Sequence, residues 1–166
     1  MSTADSAWEK RVDELWKAID AYEPEEFVAR LDTLVSDLPL DSAIGLFERG
    51  SAQDSTGHPD LAVPLYRAAL ETGLSGQRRR RAIIQMASSL RSLGDAKQAV
   101  DLLTAELAQA SDELDSAVRA FLALALVDLG REGEAVAVSL TALSQCLPRY
   151  NRSLARYARA LSDKVS

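Results

Sequence analysis

Three alanines, Ala62, Ala99 and Ala135, each stand five residues after a glycine, Gly57, Gly94 and Gly130. Successive glycines are separated by 37 and then 36 residues. A fixed period of this size predicts stacked helical hairpins, in which each unit buries its apolar face on its neighbours. The two marks divide the work. Glycine marks the turn of each hairpin, and a small residue on the returning helix lets two axes approach closely.

Composition sets the outer bounds. A chain of 166 residues suffices for one domain or one short repeat array. With 47% hydrophobic residues a sizeable core is available, and with 8 glycines and 5 prolines helix is favoured over sheet. No run of about 18 apolar residues exists, so no membrane span is expected. The first residues mix polar and charged groups and lack the basic-then-apolar order of a secretory signal. Cys146 is the single cysteine, so no internal disulfide can form, and a reducing cytoplasm is the expected compartment.

Hydrophobic spacing then places the helices. Trp8, Val12, Leu15, Trp16 and Ile19 share one face of a helix expected over 7–22. Pro24 opens the next, where its missing N–H costs nothing, and Glu25 and Glu26 suit the first turn. Phe27, Leu31, Leu34, Val35 and Leu38 form its apolar stripe. Three hairpins follow. Asp41 is the expected N-cap of the first, which turns at Gly57-His58-Pro59. The second spans 77–110 with its turn at Gly94-Asp95, and the third spans 113–145 with its turn at Gly130-Arg131. Pro148 is expected to start a last helix, packed through Leu154, Ala158, Leu161 and Val165. The chain thus divides into an N-terminal helical hairpin (1–40), three repeats (41–147) and a capping helix (148–166).

Between the glycines and the alanines the chain resembles the tetratricopeptide repeat family. The first repeat offers Leu46, Arg49-Gly50, Gln53, Ala62 and Tyr66. The second offers Ile83, Met86-Ala87, Leu90, Ala99 and Leu103, and the third Arg119, Leu122-Ala123, Leu126, Ala135 and Ser139. Arg49, Gln53, Arg119 and Ser139 depart from the apolar groups of that pattern, which makes the first and third units degenerate, as terminal repeats often are. The resemblance, to short bacterial members, implies an all-α fold of tetratricopeptide-type helical hairpins forming a short right-handed α-solenoid. It also implies a non-catalytic scaffold for protein–protein interaction.

By the same resemblance the first helix of each hairpin lines a concave wall. Phe47 and Ser51, then Arg81, Ile84, Ser88 and Arg91, then Ala120, Leu124 and Val127 would stand there, with Arg156 closing the end. Members that clamp an acidic chaperone tail use a lysine–asparagine pair early in the groove; Phe47 and Ser51 occupy those places, so that ligand is not expected. Arginines interleaved with apolar groups instead suit a peptide or helix with apolar anchors and acidic flanks. The site residues expected for this partner are Phe47, Arg81, Ile84, Arg91, Leu124, Val127 and Arg156. A second reading stays open: a homodimerising structural module with no separate groove ligand, its seam in the Trp8–Leu38 hairpin.

Charge is unevenly distributed. Residues 1–60 hold 14 acids and 5 bases, a balance of −9; residues 61–166 hold 11 acids and 14 bases, a balance of +3. The run Arg78-Arg79-Arg80-Arg81 opposes the dipole of the helix it begins, which points to acidic partners in the N-terminal half. Arg149, Arg152, Arg156 and Arg159 are spaced to share one helix face, as suits the polar side of a solvating cap. Nucleic acid is not expected as a partner, because the chain is acidic overall and carries no DNA-reading motif. Neither is a membrane surface, since the last helix lacks a Trp or Phe wedge.

No catalytic constellation stands out. His58 is the single histidine and lies in a turn, and Cys146 reads as a small buried residue. Gly94-Asp95-Ala96-Lys97 lacks the glycine spacing of a phosphate loop, and one Cys with one His cannot supply a zinc set. No cofactor or metal is expected.

Overall fold

Each of the three repeat glycines takes the left-handed conformation, with φ of 87° at Gly57, 89° at Gly94 and 69° at Gly130. In every case the next residue's N–H reaches back to a carbonyl five positions earlier: His58 to Gln53 at 2.8 Å, Asp95 to Leu90 at 2.9 Å and Arg131 to Leu126 at 2.9 Å. This is the helix-ending geometry that a residue with Cβ resists, and it satisfies carbonyls the helix would otherwise leave open. The period in the sequence is thus a period of helix stops.

The computed structural model describes residues 3–109 and 111–165, with side chains over residues 6–109 and 111–163. Its elements are α1 (Thr3–Lys17), a 3₁₀ turn (Ile19–Ala21), α2 (Pro24–Val35), α3 (Ala43–Ser55), α4 (Pro59–Glu71) and α5 (Gly76–Ser92). Then come α6 (Ala96–Leu107), α7 (Asp115–Asp128), α8 (Glu132–Cys146) and α9 (Asn151–Val165). Among the described residues there is no strand, and no helix is long and apolar enough to cross a membrane. The fold is an all-α array of helical hairpins. It resolves into two units, residues 1–82 and 83–166.

In the first unit α1 packs on α2, α2 on α3 and α3 on α4. Trp8, Val12, Phe27, Leu31, Val35 and Ala52 form its core. Trp16 meets Phe27 edge-on with ring centroids 4.9 Å apart. The Trp8 indole N–H donates to the Leu34 carbonyl at 2.8 Å, so the ring can be buried with its polar atom satisfied. The large apolar groups of the N-terminal hairpin therefore face inward. In the α3–α4 pair, a Cβ placed on Gly50 would lie 3.0 Å from two carbons of the Tyr66 ring and 3.3 Å from Leu65 Cβ. Glycine in mid-helix is explained by that approach.

In the second unit α6 packs on α7, α7 on α8 and α8 on α9. Ala99, Ala123 and Ala135 are buried, as is Ala62 in the first unit. Small residues at the anchor positions therefore stand inside helix packing throughout.

Several expected boundaries shift, for local reasons. The N-cap of α3 is Ser42 rather than Asp41; its hydroxyl accepts from Gly45 N–H at 3.2 Å. The first helix ends at Lys17, short of the expected Tyr22, and passes into the 3₁₀ turn. The helix expected from Glu113 begins at Asp115, after a polar turn in which Asp112 Oδ1 accepts from Leu114 N–H at 2.7 Å. Pro148 does not open α9. It holds Leu147 extended, at φ −82° and ψ 131°, so it ends α8; α9 starts only at Asn151, after Tyr150 with φ 66°. The expected reach of α6 to Ala110 and the packing of Val165 fall outside the described positions.

Candidate functional site

The sequence of α7 is apolar on nearly every side, as suits a helix buried all round. Val118, Leu122, Ala125 and Leu126 are indeed buried. Leu124 and Val127, however, are 47% and 50% exposed. Across from them on α8, Val136 is 49% exposed. Together with Ala120, Ser139 and Leu140 they line a groove of about 470 Å³, floored by Ala123 and Ala135. The small floor residues leave the hollow, since a larger side chain at either position would fill it.

One charged residue lines this groove. Glu132 lies on its lining at the start of α8. Next to it Arg131 forms a two-pronged pair with Glu134, Nε and Nη2 each donating at 2.6 Å. Hydrogen bonding from Arg131 holds the Glu134 carboxyl below its usual range. Arg91 Nη1 donates to Asp128 Oδ2 at 3.1 Å, so its charge is met within the same unit.

Of the residues expected to line a wall, Leu124 and Val127 come together in this groove. Arg156 is exposed on α9, with its guanidinium 5.2 Å from the centroid of the Tyr157 ring. Two expectations are corrected. Phe47 and Ile84 are 0% and 6% exposed, so neither offers a face to a partner. Ser51 is buried as well. Phe47 packs beside Tyr66 at 6.2 Å, and Arg81 covers its ring at 5.2 Å. The family resemblance set Phe47 and Ser51 on an open wall, but packing within the fold makes both of them core. Cys146 is likewise exposed rather than buried.

The arginine run is sorted by the fold. Arg78 Nε donates to Glu48 Oε1 at 3.1 Å, and Arg78 Nη1 to Glu9 Oε1 at 3.0 Å. Trp16 Nε1 donates to the other oxygen of Glu48 at 2.9 Å. One buried carboxylate on α3 thus joins α1 to the start of α5. The acidic partners expected in the N-terminal half are present for Arg78. Their identity was not legible, because Glu9 lies 69 residues away in the chain. Arg81 is exposed and lines a polar hollow of about 560 Å³ with Asp13, Ser42 and Ser75.

His58 caps the start of α4 in solvent. Among the described residues no group of three His, Cys, Asp or Glu side chains could hold a metal ion.

The repeat geometry decides the lineage, and a family model of the tetratrico peptide repeat matches residues 43–161. The chain belongs to the tetratricopeptide repeat family. The match begins with α3 and takes in most of α9, so the repeat region reaches past the third hairpin that the spacing marked out. No curated protein and no solved structure matches this tetratricopeptide chain.

Proposed function

We propose that this protein is a non-catalytic scaffold for protein–protein interaction, and that the α7–α8 groove receives an apolar face of its partner. The observation that carries this reading is the exposure of Leu124, Val127 and Val136 on helices whose other faces are core. Contiguous exposed apolar surface is uncommon on a protein that works alone, and its removal from water contributes roughly 25 cal/mol per Å² on binding. A groove between two helices suits an amphipathic helix or an extended peptide with side chains at regular spacing. Within the same unit, Arg91 is committed to Asp128. The absence of disulfides from a one-cysteine chain supports a reducing compartment, and we place the protein in the cytoplasm.

The homodimer reading is less favoured. Trp8, Phe27 and Leu31, the groups that would form its seam, are buried within one chain.

Copurification separates the cases. The double variant Leu124→Glu/Val127→Glu should lose the partners that the wild type retains, with unchanged helical circular dichroism. An unchanged partner set in the folded variant would sink the groove reading. A doubled solution mass that persists without any partner would favour the dimer.

A further inference from the structure

Several arginines of the other helices are met by acids. Arg11 pairs with Asp37, Arg30 with Glu26, Arg49 with Asp32, and Arg131 with Glu134. The last helix differs. Arg149, Arg152, Arg156 and Arg159 are all exposed, and among the described residues none of them has an acidic partner within ion-pair distance. Arg152, Arg156 and Arg159 fall at i, i+4 and i+7 of α9, one stripe about 10 Å long. Asp163 shares this face at its far end, also exposed, and leaves the stripe strongly basic.

Two tyrosines flank the stripe. Tyr150 is 78% exposed and Tyr157 58% exposed. Tyr150 also holds φ at 66°, a left-handed conformation that is uncommon for a bulky side chain and concentrates at functional positions. Its carbonyl accepts from Leu154 N–H at 2.9 Å, so this strained residue fixes where α9 begins. Tyrosine and arginine are the residues most enriched where binding energy concentrates.

We propose that the arginine face of α9 docks an acidic helix of a partner protein, with carboxylates at i, i+4 and i+7. Such a helix laid along α9 sets one carboxylate opposite each guanidinium, and the planar fork of arginine matches a carboxylate through two hydrogen bonds. Tyr157, beside Arg156, and Tyr150, just before the helix, supply rigid apolar area. A membrane surface fits less well, because the other side of α9 is already spent: Ala158 is fully buried and Leu154 and Leu161 are half-buried, with α9 packed on α8. A nucleic acid fits less well because the whole chain carries −6 and repels a polyanion. This contact is independent of the α7–α8 groove.

The test is fluorescence anisotropy with a labelled alanine-based helical peptide bearing glutamates at i, i+4 and i+7. An isomeric peptide with the same glutamates spread around the helix serves as comparison. The striped peptide should bind more tightly than its isomer by about fivefold, and binding should weaken with salt. Arg152→Glu/Arg156→Glu/Arg159→Glu should weaken it by about tenfold or more. The matching lysine variant should fall between, since it keeps the charge and loses the fork. Leu124→Glu should leave it unchanged. If the reversed-charge protein loses its helical signal, the glutamine triple variant gives the reading instead. Equal binding of the two peptides, no loss on charge removal, or tighter binding to duplex DNA or phosphatidylserine vesicles would overturn the proposal.

Discussion

Arg78 donates through Nε to Glu48 Oε1 at 3.1 Å, and Glu48 is only 2% exposed. A carboxylate so enclosed needs its partners, because desolvation of an unpaired charge outweighs most other local terms. Arg78→Ala should therefore destabilise the fold by about 3 kcal/mol, read as a lower urea midpoint. In a Glu48→Gln background the same change should cost much less, because Trp16 can still donate to the amide oxygen and the charge left without Arg78, that of Glu9, is 26% exposed rather than buried. Equal losses in both backgrounds would show that the ion pair is not the cause.

Gly50 faces the ring of Tyr66 with no room for a methyl group. On helix propensity alone Gly50→Ala gains up to about 1 kcal/mol. Tyr66 is fully buried and cannot swing away, so overpacking of about 1–3 kcal/mol should win. A net loss of about 1 kcal/mol is expected by thermal or urea unfolding. A more stable variant would mean the α3–α4 contact is looser than described.

The same tyrosine predicts a response to alkali. Burial, and after it the charge of Asp54, push the Tyr66 phenol well above its ordinary range. Unfolded, the phenol ionises near pH 10. Between that pH and the higher folded value the unfolded state binds fewer protons, so stability falls as pH rises. Below about pH 10 the contribution is fully present, and above it this residue should lose about 1.4 kcal/mol per pH unit. Tyr66→Phe should remove that part of the slope in unfolding measured from pH 9 to 11.

Leu124 and Val136 belong to surface, not core, in spite of their apolar setting. Leu124→Gln and Val136→Gln should each change stability by less than about 0.5 kcal/mol. Leu126→Ala, on the buried side of the same helix, should cost about 2–5 kcal/mol. If the exposed pair proves as costly as Leu126, the groove is closed by something within the chain.

Cys146 carries an exposed thiol at the end of α8. Its Sγ donates weakly to the Ala142 carbonyl, at 3.8 Å. A chromogenic disulfide reagent should label it fully in native buffer, at a rate that denaturant barely changes. Protection until unfolding would contradict the placement of the end of α8.

Local chemistry carried the sequence a long way. Gly57, Gly94 and Gly130 declared where helices stop, because left-handed backbone is a preference of the residue itself. The anchor alanines declared close helix packing, and Trp8, Phe27 and Leu31 declared the apolar faces, because helical period is written in spacing. Which apolar face becomes core was not written there. Phe47 and Leu124 both lie on apolar stripes of first helices, yet one is sealed under Arg81 and Tyr66 and the other stands open. Burial depends on what other segments bring, and so does pairing: the arginine run announced a need for acids, while only folding could choose Glu9 and Glu48 for Arg78. Backbone preferences are set within a few residues, whereas burial and charge pairing are settled by groups distant in the chain, so sequence determined the helices and their stops and tertiary structure alone decided which surfaces remain to meet a partner.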